Sequence, residues 1–350
     1  MKKILSVVGA RPQFVKAAVL SRLIQGERNV SEVLVHTGQH FDANMSKIFF
    51  DELRIPKPSY NLGIHSVGHG AMTGRMMGAL EELVNVERPD AFIVYGDTNS
   101  TLAGALVAAK LNVPVLHIEA GLRSFNMRMP EEINRVLTDH VSSLLFCPTT
   151  DSVKNLQNEG IQRGVMHVGD IMYDATLFAI QKIQSIKGEV LRRYGLSSDN
   201  FILSTLHREE ATDNLDLLDV VAREIDRISE GKKIIFPIHP RMKPKIGFLQ
   251  SRIPKALFID PIGYFEMHAL LCQSSMVITD SGGLQKEAYF HRVPCVTMRE
   301  ETEWIETITC GWNRLWKVPE YDDRKDILDY GDGNAGKRIL DAIRNKFLDG

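Results

Sequence analysis

The residues able to do chemistry in this chain sit where apolar runs end. Gly9-Ala10-Arg11-Pro12-Gln13-Phe14-Val15-Lys16 follows the first such run with a glycine turn, a helix start and two cations. Free backbone N–H groups and the helix dipole attract an anion at such a place. The loop is neither G-x-G-x-x-G nor a Walker A sequence, so it marks no dedicated dinucleotide or P-loop site. The plain alternative is that Arg11 and Lys16 solvate a helix end. Gly96-Asp97-Thr98-Asn99-Ser100-Thr101 closes a later run with a carboxylate and opens a hydroxyl-rich helix start. Asp97 alone would read as a helix cap. Its company argues for more. The next run ends His117-Ile118-Glu119-Ala120-Gly121-Leu122-Arg123, and Pro130-Glu131-Glu132 opens the helix after it, with Arg128 just ahead. Asp97, Glu119 and Glu131 are therefore expected on one sheet edge. Crowded carboxylates have their pKa values driven apart, which suits general acid and base catalysis.

The second half repeats the pattern with different residues. Ser204-Thr205-Leu206-His207-Arg208-Glu209-Glu210 places a histidine at a strand end, a candidate phosphate contact or proton donor. Ile238-His239-Pro240 places another, with a satisfied core histidine as the alternative. Thr279-Asp280-Ser281-Gly282-Gly283-Leu284-Gln285-Lys286-Glu287 is the sharpest local signal. Ser281, Gly282 and Gly283 entering a helix let backbone N–H groups approach a diphosphate closely. Glu287, one turn in, is placed to accept both ribose hydroxyls, and Asp280 to order the turn. The set fits a nucleoside diphosphate. None of the eleven histidines has metal-ligand spacing, so no metal is expected, and no G-x-S-x-G elbow is present.

These residues need elements to hold them. The chain has 350 residues, 44% hydrophobic and 25% charged, which suggests about two globular domains. A net charge of -2 gives no reason to expect nucleic acid or an anionic membrane as partner. No apolar stretch reaches the roughly 18 residues of a membrane span, and the first reads as a strand rather than a signal peptide. Cys147, Cys272, Cys295 and Cys310 form no C-x-x-C pair and read as reduced thiols of a cytoplasmic protein. Strands are expected at Ile4–Val8, Val33–His36, Ala91–Tyr95, Val115–Ile118, Leu144–Cys147 and Val165–Val168. A second set is expected at Phe201–Thr205, Ile234–Ile238, Leu257–Ile259, Met276–Thr279 and Pro294–Met298. Helical segments lie between them, which implies two α/β units with parallel sheets. Ile171–Ile186 reads as a helix running into a polar linker, Ser185–Gly188. The expected division is 1–170 with a returning C-terminal helix in 335–350, and 171–334. Strand ends of two such domains would face one cleft.

In order, GARPQFVK, HTGQHFD, GDTNST, HIEAGLRS, MPEEINR, HREE and TDSGGLQKEA resemble the non-hydrolysing UDP-N-acetylglucosamine 2-epimerases over essentially the whole chain. The resemblance implies two Rossmann-like doubly wound domains in the glycosyltransferase-B arrangement, a UDP-sugar substrate, no cofactor and a homodimer. It also implies that the last helix, Ala335–Leu348, returns to the first domain. The segments GARPQF, SFNMRMPEEINR and TEWIET followed by GWN are most similar to the UDP-2,3-diacetamido-2,3-dideoxyglucuronate 2-epimerases of O-antigen synthesis. Simple UDP-GlcNAc enzymes carry E-R-P-E where this chain has Glu303-Trp304-Ile305-Glu306, and an aromatic where Met267 stands. The family's second sugar-nucleotide site is matched only at Gln39 and His40, so that regulation is not expected. Carried over by motif, Arg11, Lys16, His207, Ser281, Gly282, Gly283 and Glu287 match UDP contacts, with Arg299 a basic position on their side. Asp97, Glu119 and Glu131 match the acids assigned to catalysis. The implied reaction removes the C2 proton, expels UDP to a 2-acetamidoglycal and adds both back with C2 inverted. A uronate substrate needs a cation near C6, for which Arg128 is the first choice and Arg123 the second. UDP-GlcNAc epimerisation is the alternative; a glycosyltransferase, a hydrolysing epimerase and a UDP-sugar sensor are more distant ones.

Overall fold

The computed structural model describes residues 1–39, 50–208 and 212–348. His40, Glu209 and Glu210 lie outside them. Apolar runs without polar alternation cannot leave a face in water, and here they form parallel sheets covered on both sides. The first sheet contains β1 Lys2–Val8, β2 Val30–His36, β3 Tyr60–Asn61, β4 Ala91–Tyr95, β5 Val115–Ile118, β6 Leu144–Cys147 and β7 Val165–His167. Its order is β3-β2-β1-β4-β5-β6-β7, with every pairing parallel. The second contains β8 Phe201–Thr205, β9 Lys233–Pro237, β10 Ala256–Ile259, β11 Met276–Thr279, β12 Cys295–Thr297 and β13 Asn313–Leu315. Its order is β10-β9-β8-β11-β12-β13, again all parallel. Strand order reverses once in each sheet, between β1 and β4 and between β8 and β11. Open parallel sheets bind ligands at such switch points.

The second sheet shows why alternation is missing. Phe201, Leu203, Ile235 and Val277 join one buried cluster, while Ile202, Ile234, Phe236 and Ile278 join another. Successive residues point to opposite faces, and helices cover both. The helices that matter below are α1 Arg11–Gln25, α2 His69–Glu87, α3 Asn99–Lys110, α4 Pro130–Val141, α5 Thr150–Asn158, α6 Ile171–Ile183 and α7 Lys187–Tyr194. They continue with α8 Leu215–Ser229, α9 Ile246–Arg252, α10 Tyr264–Leu271, α11 Gly282–Phe290, α12 Ile305–Thr309 and α13 Ala335–Ile343. No helix among the described residues is long and apolar enough to cross a membrane.

The chain divides into Met1–Leu177 with Leu328–Gly350, and Phe178–Ile327. Residues 171–177 and 328–334, expected in the second unit, thus group with the first, and the expected 185–188 linker runs straight into α7. The reason is local bonding: Asp170 N–H donates to Tyr330 O at 3.0 Å. Leu177 packs so close to Gly333 that a Cβ there would lie 2.2 Å from its Cδ1. Asp174 caps α13, accepting from the N–H groups of Ala335 and Gly336 at 3.2 and 2.8 Å. From that cap, α13 lies on α1, with Gly336 against Val19 and Leu23, and Arg344 pairs with Glu27.

Burial raises the Asp174 carboxyl to about 6, against the two amides that favour its charge; Asp170 adds to the rise. The unfolded value is about 3.9, so the folded chain holds this proton to higher pH. The contribution of Asp174 to stability therefore falls as pH rises from about 4 to about 6. Asp174→Asn keeps an acceptor oxygen and cannot ionise. Relative to wild type it should gain about 2–3 kcal/mol between about pH 4 and about pH 7, read from urea unfolding at both values. An unchanged difference would contradict this account.

Candidate active site

β5 is followed directly by Glu119, whose φ of 71° lies in the left-handed region. That conformation costs a non-glycine residue on the order of 1 kcal/mol and persists only where its surroundings enforce it. Here the N–H groups of Glu119 and Ala120 both donate to Phe146 O, at 3.1 and 3.0 Å. The strained turn delivers the Glu119 carboxylate into a buried ion pair with Lys16 Nζ of α1. Gly96, at the end of β4, completes the contact. Its φ is 62°, and a Cβ there would lie 3.2 Å from Glu119 Oε2 and 3.3 Å from Lys16 Nζ.

Asp97 follows Gly96 and is partly exposed; its Oδ2 accepts from Arg135 Nη2 at 2.6 Å. Arg135 also donates to Glu132 at 2.8 Å. Glu132 accepts from the N–H groups of Ser124 and Phe125, each at 2.9 Å. Burial pushes the Glu132 carboxyl up, but the Ser124 amide, Arg135 and the Phe125 amide outweigh it and hold the group below its usual range. Glu132 thus braces the 124–132 loop. Glu131, partly exposed, has no hydrogen bond or ion pair among the described residues. The three expected acids therefore sit in three settings: Glu119 on Lys16, Asp97 on Arg135, and Glu131 unpartnered. Asp97 and Glu119 are brought together through Gly96. Arg135 was not singled out in the sequence; its spacing of three residues from Glu132 at a helix start was the available signal.

Two expectations are corrected. Arg123 is a scaffold residue rather than a sugar ligand. Its Nε and Nη2 donate to Glu159, and its Nη1 to Leu122 O and Asp139, all within 2.8 Å. Asp139 also holds His117 Nδ1 at 2.7 Å, and His117 Nε2 lies 2.8 Å from Gly96 O, so this network fixes the turn before Asp97. Burial works to raise the Asp139 carboxyl, but His117 and Arg123 outweigh it and lower it. The second correction concerns the anion site at the start of α1. The N–H groups of Gly9 and Ala10 are taken by Gln13 Oε1 at 2.7 and 3.0 Å. Arg11 and Lys16 remain there as cations. Arg128 is exposed, and its guanidinium has no partner among the described residues.

The second unit keeps its amides open. Ser281 caps α11, its Oγ accepting from Leu284 N–H at 3.4 Å. The N–H groups of Gly282 and Gly283 have no hydrogen-bond partner among the described residues. A Cβ on Gly283 would meet nothing within 4 Å, whereas one on Gly282 would lie 2.5 Å from Glu303 Oε1 and 3.3 Å from Trp304 Nε1. Arg299 pairs with Glu303 at 2.9 Å, so it offsets the carboxylate that lies against Gly282. Asp280 orders the turn. It accepts from the N–H groups of His207 and Arg208 at 2.8 and 2.9 Å, and from His207 Nδ1 at 2.7 Å. Burial acts to raise Asp280, but His207 and these amides outweigh it. His207 Nε2 is thereby the nitrogen left for a ligand. His239 lies beside it, ring centroids 5.8 Å apart. Glu287 is buried on α11 with one polar neighbour, His268, at 3.5 Å.

The family model described as UDP-N-acetylglucosamine 2-epimerase matches residues 22–344. The chain belongs to the UDP-N-acetylglucosamine 2-epimerase family. A UDP-2,3-diacetamido-2,3-dideoxy-D-glucuronate 2-epimerase of Pseudomonas aeruginosa is 53% identical over 343 residues, 97% of this chain and 94% of that one. Among solved epimerases of the family, that of Methanocaldococcus jannaschii, in complex with UDP-GlcNAc and UDP, is 40% identical. It aligns with a TM-score of 0.89 over 98% of this chain and 99% of that one. The Neisseria meningitidis enzyme bound to UDP-GlcNAc is 28% identical, TM-score 0.87, covering 98% of this chain and 100% of that one. This epimerase is thus an isomerase of a UDP-sugar with a two-sheet α/β architecture.

Removing one partner of a buried ion pair strands the others. Arg123→Ala should therefore destabilise this epimerase by about 3–5 kcal/mol, seen as a lower unfolding midpoint, while Arg128→Ala leaves the midpoint unmoved. Equal midpoints would return Arg123 to the list of ligands.

Proposed function

We propose that the enzyme inverts C2 of UDP-2,3-diacetamido-2,3-dideoxy-D-glucuronate by elimination and re-addition of UDP. The reading of the reaction is carried by Glu119, a carboxylate held at a strained strand end against Lys16. The substrate reading draws on the 53% identity with the Pseudomonas enzyme and on Arg128, exposed and unpartnered among the described residues. The open amides of Gly282 and Gly283, with Ser281, His207 and the cations Arg11 and Lys16, would stabilise the departing diphosphate. His239 and Arg299 would support them, and Glu287 would take the ribose hydroxyls. Base attack removes the C2 proton as the C1–O bond breaks, giving UDP and a 2-acetamidoglycal. UDP oxygen then re-forms the bond to C1 while a proton reaches C2 on the opposite face. Asp97, Glu119 and Glu131 supply the acid and base. A nucleotide held in place through both steps adds back without escaping. The proposal extends to a cytoplasmic homodimer making O-antigen or capsule precursors, as the family resemblance implies.

Turnover in deuterated buffer should place deuterium at C2, read by NMR; its absence would exclude this chemistry. Asp97→Asn and Glu119→Gln should each lower kcat by about 10²–10⁴-fold, and near-normal turnover in both would remove the assignment. Arg128→Ala should cost the uronate about tenfold or more in kcat/KM, the scale of one lost charge-assisted contact. UDP-GlcNAc, assayed as the alternative substrate, should be little affected. Equal losses on the two substrates would favour plain UDP-GlcNAc epimerisation.

A further inference from the structure

Glu287 is a buried carboxylate whose sole polar side-chain neighbour among the described residues is His268, Nε2 to Oε1 at 3.5 Å. His268 comes from α10, is completely buried, and packs edge-on against Tyr264 with ring centroids 4.3 Å apart. Its other nitrogen, Nδ1, lies 2.7 Å from Nε2 of His291, the residue capping the C-terminal end of α11. Neither histidine serves the reaction as described so far.

The hydrogen-bond roles follow from chemistry. A carboxylate oxygen accepts, so the nitrogen facing Glu287 must carry hydrogen for the contact to be attractive. His268 then presents Nε2–H to Glu287 and a bare Nδ1 to His291. A bare Nδ1 needs a donor, and Nε2–H of His291 is the one within reach. Burial, then the neighbouring His268, pushes His291 down to about 2, so it has a single ring N–H to give. Donation thus runs from His291 to His268, whose Nε2–H faces Glu287 at 3.5 Å without closing a hydrogen bond.

We propose that His268 and His291 are positioning residues, a two-histidine relay that presents the Glu287 carboxylate to the ribose of the bound nucleotide. This rests on the assignment of Glu287 to the ribose made above. At 3.5 Å the Glu287 contact is longer than a good hydrogen bond. The carboxylate is therefore aimed by the relay without being consumed by it, and keeps lone pairs for the two hydroxyls.

The test compares UDP with 2′-deoxyuridine diphosphate by calorimetry on the full-length enzyme. Wild type should bind UDP the more tightly. His291→Leu should weaken UDP about tenfold while leaving the deoxy compound unchanged. His291→Gln, whose amide N–H replaces the ring donor, should restore the preference for UDP. A His291→Leu enzyme that keeps the wild-type preference overturns the relay, and so does failure of His291→Gln to restore it. Glu287→Ala separates the two layers of argument. If that variant loses the preference and His291→Leu does not, only the relay falls. If Glu287→Ala keeps it, the ribose assignment falls and the relay with it. Should His291→Leu not fold, nitrogen NMR of the wild-type histidines decides. Protonated Nε2 and bare Nδ1 at His268 are expected, and the reverse tautomer overturns the proposal.

Discussion

A strand buried on both faces has no room for a charge along its length. That constraint places Asp97, Glu119, His207 and Asp280 just beyond strand ends. β4 and β5 are fully buried and carry no acidic or basic side chain but His117, which is held by Asp139 and Gly96 O, and the candidate acids stand one or two residues beyond, at Asp97 and Glu119. β8 and β11 do the same for His207 and for Asp280 with Ser281. Charges gathered at strand ends remain partly buried and need partners, because an isolated buried charge is costly. Lys16, Arg135 and the Asp280 carboxylate supply those partners. In each unit, then, the charges at the strand ends just named are braced by a partner.

The two units treat their helix starts differently. At α1 the glycine turn is closed by its own glutamine: Gln13 accepts from two amides and donates through Nε2 to Tyr95 O, Thr98 and Thr101. The turn becomes a rigid joint between β1, β4 and α3 that carries Lys16 to Glu119. At α11 the N-cap amide of Ser281 donates to Thr279 Oγ1 at 3.0 Å, but the next two amides, of Gly282 and Gly283, stay open among the described residues, and the helix N-terminus keeps its attraction for an anion.

Much of this was legible in the sequence, and the exceptions have physical reasons. β4, β5, β6, β8 and β11 start and stop at the expected residues because burial on both faces leaves an unmistakable apolar run. β3 and β13 span two and three residues, too few to carry any period. The polar stretch at 185–188 looked like a linker, yet Glu189 and the arginines after it suit the surface of α7. Arg123 and Arg128 are alike in type and neighbourhood. Their fates separate only because Asp139 and Glu159, 16 and 36 residues further on, converge on Arg123. Likewise, nothing in the string Gly9-Ala10-Arg11-Pro12-Gln13 reveals that the glutamine turns back on the amides. Local pattern locates strand ends; long-range pairing decides which polar groups there remain available.

The first unit is also discontinuous in the chain, and that has a bearing on how it is made. The face of α1 around Val19 and Leu23 is covered by Gly336 and its helix, and the carboxylate of Asp174 waits for the amides of that same helix. Residues 178–327 must all be synthesised before those partners exist. Until the last helix has been made, the face of α1 around Val19 and Leu23 has no cover from Gly336, and water takes the place of the two amides at Asp174.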